Sequence, residues 1–147
     1  MKIDSFRGEY DFLSNFYPVQ IKYEGITYPS VEHYYVAMKS DDRRVREMVA
    51  KIDTPGKVKR YGREFIKLRE DWEDVKMEVM KYGLNQKFMN KELRDKLLST
   101  GDSEIIEGNV WHDNFWGTCK CEKCGDRGQN NLGELLMKIR NKLKKQI

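Results

Sequence analysis

The chain has no apolar run approaching the roughly 20 residues needed to cross a bilayer. Its first residues, Met1-Lys2-Ile3-Asp4-Ser5-Phe6, lack the apolar stretch of a secretory signal. Both absences lead to the expectation of a cytoplasmic chain with no membrane partner. Cysteine is scarce and odd in number, at Cys119, Cys121 and Cys124, which argues against a disulfide framework. Histidine is limited to His33 and His112, so no His-rich catalytic metal centre is expected. Proline occurs only at Pro18, Pro29 and Pro55, each at a plausible boundary. No repeat, linker or low-complexity segment is present, and no Walker loop or GxGxxG is available to cradle a nucleotide.

What is present suits one globular domain over 1–147. The chain of 147 residues is long enough to bury a core without staples, at 39% hydrophobic and 35% charged. The net charge of +4 favours an anionic ligand only slightly and does not establish nucleic-acid binding. The basic C-terminal run of Lys138, Arg140, Lys142, Lys144 and Lys145 reads as a solvated helix face.

The patterning predicts a mainly α chain of the α+β class, a compact multi-helix domain with a small N-terminal antiparallel hairpin. Val19, Ile21 and Tyr23 alternate with polar residues, Gly25 offers a turn, and Ile26 and Tyr28 resume the alternation. Ser30 is a good N-cap for a helix with a Val31, Tyr34, Tyr35 and Met38 stripe. Asp41 or Asp42 can cap the next helix, and Thr54-Pro55 starts a third that Gly62 ends. Asp71 caps a longer helix with two stripes, through Trp72, Val75 and Val79 and through Met77, Met80, Leu84 and Phe88, which predicts burial on more than one side. Asn90 opens a helix stopped at Gly101, Glu104 to Val110 reads as a short strand, and residues 111–129 as a long loop before a last helix from Asn130 or Asn131.

Several residues carry potential chemistry. Glu32 lies off its helix stripe, on the side of Lys39. It either stabilises the helix N-terminus or faces an aromatic-walled cleft that makes it an acid or base. Asp113, in Trp111-His112-Asp113-Asn114-Phe115-Trp116-Gly117, either supports a cationic transition state or makes an Asx-turn. Trp72 is either core or a platform for a flat ligand ring. Arg63, preceded by Lys57, Lys59 and Arg60, is either a solvated face or a phosphate-binding group. Cys119-Lys120-Cys121-Glu122-Lys123-Cys124-Gly125 has the look of a zinc knuckle, with His112 or His33 as a fourth ligand. A second Cys-x-x-Cys pair is missing, so zinc is not counted as required; otherwise both histidines read as structural.

An ordered set of motifs then runs along nearly the whole chain. It comprises Phe12-Leu13-Ser14-Asn15-Phe16-Tyr17-Pro18, Ser30-Val31-Glu32-His33-Tyr34-Tyr35, Gly62-Arg63, Asp71-Trp72, Lys87-Phe88 with Asn90, Leu97 to Asp102, Phe115-Trp116-Gly117 and Gly128 to Arg140. This order resembles the NADAR, or YbiA-like, family of N-glycosidases. The resemblance implies hydrolysis of a C1′–N bond between a ribose and a nitrogen heterocycle, with no required cofactor. It implies a small phosphoribosyl substrate, namely the phosphoribosylamino-pyrimidine intermediates of riboflavin biosynthesis. The alternatives are an ADP-ribosyl-guanine glycohydrolase acting on modified nucleic acid, or a non-catalytic ADP-ribose or nucleotide binder. By motif, Glu32, Asp113 and Trp72 become the catalytic positions, and Asn15, Phe16, Lys39, Arg63 and Trp116 the substrate-binding ones. Glu32 would activate water and Asp113 would stabilise the ribosyl cation, or the two would exchange these roles. The cysteine cluster is not part of the general family pattern.

Overall fold

In the computed structural model, which describes all 147 residues, the chain runs in order through β1 (Lys2–Ile3), a 3-10 helix (Gly8–Leu13), β2 (Ile21–Tyr23), β3 (Ile26–Tyr28), α1 (Val31–Ala37), α2 (Arg43–Ala50), α3 (Pro55–Glu64), α4 (Trp72–Lys87), α5 (Lys91–Ser99), β4 (Glu104–Ile105), β5 (Gly108–Asn109), β6 (Thr118–Cys119) and α6 (Asn131–Lys144). Helices dominate, as the patterning predicts. The residues cluster into two compact units, one of Asn15–Asn90 and one of Met1–Ser14 with Lys91–Ile147. No helix is long and apolar enough to cross a membrane.

The Asn15–Asn90 unit is built around α1. Ser30 caps it through its side chain, which accepts the His33 N–H at 3.1 Å. Apart from Glu32, every residue of this helix is buried, because α2, α3, α4 and the β2–β3 hairpin all pack on it. The hairpin is antiparallel, with Ile21 opposite Tyr28 and Tyr23 opposite Ile26. Tyr34 meets Tyr23, Tyr28 and Tyr82 at ring-centroid separations of 5.8, 6.0 and 5.8 Å. Edge-on and tilted pairs of this kind add about 0.5–1.5 kcal/mol each beyond area burial.

Three local expectations are corrected here. Gly62 does not end α3; it lies buried inside the helix, where an added Cβ would stand 2.8 Å from Cγ1 of Val36. Its use is close approach of α3 to α1. Asp71 precedes α4 but makes no capping bond with its side chain. Its carboxylate is held instead by Arg69, whose Nε donates to Oδ1 at 2.6 Å. The second stripe of α4 is only partly buried: Met80, Leu84 and Phe88 are covered while Met77 is exposed.

The other unit pairs residues far apart in sequence. β1 and β4 are parallel, with Ile3 beside Ile105, and β5 and β6 are parallel, with Asn109 beside Cys119. The Glu104–Val110 strand is therefore two short ones, and the 111–129 segment is not structureless. α6 packs on α5 and β4 through Leu132, Leu135, Leu136 and Ile139. Asn130, at φ 52°, seats its start: Oδ1 accepts from the Glu107 N–H and Nδ2 donates to the Ile105 carbonyl, each at 2.9 Å. The basic tail is not uniformly solvated. Arg140 is buried and donates to Thr100 Oγ1 at 2.9 Å and to the Ser103 carbonyl at 2.8 Å. Lys144 donates to the Gly101 carbonyl at 2.6 Å.

Candidate active site

The Asn15–Asn90 unit brings together Asn15, Glu32, Lys39 and Trp72. Glu32 occupies the first turn of α1, half-buried. The first N–H groups of a helix have no partner within it. The Glu32 N–H finds one outside, donating to the Asn15 carbonyl at 3.1 Å. The Asn15-Phe16 loop is thereby fastened to the turn that carries the carboxylate.

Lys39 follows two turns later, just past the end of α1, and its side chain lies over Tyr35, with Nζ 5.5 Å from the ring centroid. Trp72, buried at the start of α4, meets the same tyrosine edge-on at 5.1 Å and 61°. Arg69 holds this junction. Its backbone N–H donates to the Lys39 carbonyl at 2.8 Å, and its own carbonyl accepts the Trp72 N–H at 3.2 Å. Its guanidinium holds the Asp71 carboxyl below the usual carboxylate range, chiefly through their hydrogen bond.

The electrostatics around Lys39 are specific. Burial pushes its ammonium pKa down, the Glu32 charge opposes that, and the ammoniums of Lys59 and Lys76 push it further down. Lys59 also lies over the ring of Phe16, 6.0 Å from its centroid. The Lys76 side chain is 15% exposed and pairs with Glu73 at 2.9 Å. The charges of Glu32, Lys59 and Lys76 thus all bear on Lys39, beside the Tyr35–Trp72 pair. A phosphate placed beside Lys39 would add to the attraction that Glu32 already exerts on its ammonium. Lys76 was not singled out in the sequence: with Glu73 three residues before it, it reads as an ordinary surface pair. Arg63, in the last turn of α3, is exposed.

Asp113 and Trp116 belong to the other unit. The Asp113 Oδ1 accepts the backbone N–H groups of Phe115 at 3.2 Å and Trp116 at 2.9 Å, which realises the Asx-turn. Asn109 clamps the same residue, accepting its N–H at 3.1 Å and donating to its carbonyl at 2.9 Å. Trp116 stands perpendicular to Phe115, at 4.8 Å.

The histidines separate. His33 is buried, with Nδ1 2.7 Å from Ser30 Oγ and Nε2 2.8 Å from the Ile52 carbonyl, so both ring nitrogens serve the fold. Those bonds remove it as a metal ligand. His112 instead shares a cluster with Cys119, Cys121 and Cys124, all four ligating atoms lying within 4.8 Å of one another.

Comparison with known proteins shows the family. A family model described as the NADAR domain matches residues 4–144. A riboflavin biosynthesis protein of Vibrio vulnificus is 42% identical over 135 residues, which is 90% of this chain and 35% of that protein, so the chain spans about a third of that relative. N-glycosidase YbiA of Escherichia coli is 38% identical over 137 residues, covering 92% of this chain and 82% of that protein. The NMR structure of the E. coli protein YbiA superposes with a TM-score of 0.83 at 35% identity, covering 99% of this chain and 86% of that one.

Proposed function

Because the chain belongs to the NADAR domain family, we propose that it is an N-glycosidase, a hydrolase of the C1′–N bond of a phosphoribosylated heterocycle. The substrates it fits best are phosphoribosylamino-pyrimidines of riboflavin biosynthesis, the pathway in the name of the Vibrio relative. The family match over 4–144 supports treating 1–147 as a single NADAR domain.

The observation that supports the phosphate in this reading is Lys39, buried over the Tyr35 ring and subject to the charges of Glu32, Lys59 and Lys76. A substrate bearing a phosphate places an anion against the Lys39 ammonium. Anchoring it also positions the ribose for attack. Arg63 is assigned to the same phosphate on motif grounds. The Trp72 indole walls the heterocycle, and Asn15 and Phe16 contact the sugar or base.

Cleavage builds positive charge on the ribose ring. Glu32 takes a proton from water as its oxygen bonds to C1′. The electron pair of the C1′–N bond leaves with the nitrogen, which acquires a proton. The products are a free sugar phosphate and the amine of the heterocycle. Asp113, as stabiliser of the ribosyl cation, and Trp116, as a substrate contact, enter on motif resemblance alone. No cofactor enters this scheme.

The test is mass spectrometry of products from a panel of ribosylated bases, run beside an oligonucleotide carrying ADP-ribosylated guanine. Sugar phosphate released from the phosphoribosylamino-pyrimidine is the expected result. Release only from the oligonucleotide reassigns the substrate to ADP-ribosylated nucleic acid. No release from any member of the panel overturns the proposal.

A further inference from the structure

We propose that His112, Cys119, Cys121 and Cys124 form a closed structural zinc site that organises the 112–124 loop. The set is three thiols and one imidazole. Soft sulfur donors with one nitrogen in a four-donor arrangement select zinc over hard cations.

Geometry supports one ion rather than a chance cluster. The His112 Nδ1 lies 3.2 Å from Cys124 Sγ, 3.5 Å from Cys121 Sγ and 3.8 Å from Cys119 Sγ. In a regular tetrahedron with Zn–N near 2.05 Å and Zn–S near 2.3 Å, the N···S edge is about 3.6 Å. The three separations scatter around that edge.

The surrounding backbone is shaped for the same purpose. The Cys124 N–H points at Cys121 Sγ, 3.3 Å away, and the Gly125 N–H donates to the Cys121 carbonyl at 2.9 Å. Gly125 has φ 57°, which closes the turn. Hydrogen bonds of this kind from backbone N–H to sulfur stabilise a thiolate and orient it. His112 itself sits at φ 69°, a left-handed conformation uncommon for a residue with a side chain. It is exposed, so core packing does not hold it there; the strained backbone aims its ring at the sulfurs. Three thiolates and a neutral imidazole on Zn²⁺ leave one net negative charge. Arg127 lies against the knuckle, its Nε donating to the Cys124 carbonyl at 2.7 Å and an Nη to the Lys123 carbonyl at 2.9 Å.

With four protein ligands no position remains for a water or substrate, so the ion is structural. It ties residue 112 to residues 119–124 and so braces the Asx-turn of Asp113. A catalytic meaning for that bracing rests on the glycosidase proposal; the metal site does not.

The full-length protein, purified under reducing conditions, is expected to carry one zinc per chain by elemental analysis, with its protons displaced from the three thiols. After chelation, Co²⁺ titrated into the apoprotein is expected to give thiolate-to-cobalt charge-transfer and tetrahedral ligand-field bands that saturate at one ion per chain and vanish on adding Zn²⁺. His112→Ala and Cys121→Ser, whose positions are not fully buried, should lose those bands while keeping the far-ultraviolet circular dichroism of the parent. Protease cleavage within 112–124 should rise on chelation. Three freely titrating thiols with no cobalt spectrum in the folded, reduced protein would overturn the site. Each readout is made without substrate, so it is independent of whether the glycosidase assay succeeds.

Discussion

Trp72 stands edge-on to Tyr35 with ring centroids 5.1 Å apart, and Lys39 lies over the same tyrosine ring. The indole is therefore a packing element, and the proposed function adds a second role as the wall of the heterocycle site. These two roles separate by substitution. Trp72→Ala removes a buried aromatic and should cost about 3–5 kcal/mol of stability. Trp72→Phe keeps a ring against Tyr35 and should cost much less. If the indole also stacks on the heterocycle, Trp72→Phe raises KM or lowers kcat/KM well beyond its effect on Tm. Parallel steady-state kinetics and thermal melts decide. Unchanged kinetics in a folded Trp72→Phe protein would leave the residue with packing alone.

Glu32 is next to be tested, and magnitudes separate its two readings. As a charge at a helix N-terminus it is worth about 0.3–1 kcal/mol, or a few degrees of Tm at most in a chain of this size. As a general base it is worth about 10²–10⁴-fold in turnover. Glu32→Gln should accordingly collapse product release while the protein melts within a few degrees of the parent. Because the Glu32 charge supports the protonated form of Lys39, the variant should also lower the Lys39 pKa further. Retained full activity would remove Glu32 from the mechanism.

How much of this was legible in the sequence depended on whether the determining contact was local. Ser30, Asp42 and Thr54-Pro55 were readable because each cap side chain bonds a backbone N–H two or three residues on. Asp71 misled because Arg69, two residues before it, captures the carboxylate. Arg140 looked solvated because its partners, Thr100 and Ser103, lie about 40 residues upstream. The β1–β4 and β5–β6 pairs have two residues per strand, too few for any periodicity to show. At the site, Glu32, Lys39 and Trp72 carried motif signals. Lys76 did not, since only the packing of α4 against α1 brings its charge to bear on Lys39. His112 and the cysteines were recognisable as a ligand set, but the choice between the two histidines needed the bonds that His33 already makes.

Those bonds give a pH prediction. Burial holds the His33 pKa below its ordinary 6.5, with the bond to the Ile52 carbonyl opposing in part. The unfolded chain takes up a proton near pH 6.5, whereas the folded chain does so only at lower pH. Stability linked to His33 is therefore full above about pH 6.5 and is lost as pH falls through the folded pKa. Thermal melts from about pH 7.5 to about pH 5 should show Tm declining with acidity, and His33→Gln should flatten that decline. Identical slopes in the two proteins would count against the assignment.

Gly62 gives a sharp packing test. Exchanging glycine for alanine inside a helix ordinarily gains about 0.8–1 kcal/mol. Here the new Cβ would lie 2.8 Å from Cγ1 and 3.1 Å from Cγ2 of Val36. Val36 is buried at 1% exposure in α1 and has no room to withdraw, so overpacking of about 1–3 kcal/mol should outweigh the gain. Gly62→Ala is therefore expected to lower the urea midpoint. Val36→Ala alone should cost about 2–3 kcal/mol as a buried truncation. In the double variant the alanine methyl enters space that the valine vacated, so the two losses should fall short of adding, by more than about 0.5 kcal/mol. Chemical denaturation of the four proteins in the cycle measures this coupling. A stabilised Gly62→Ala, or strictly additive losses, would mean that α3 and α1 do not approach each other through this glycine.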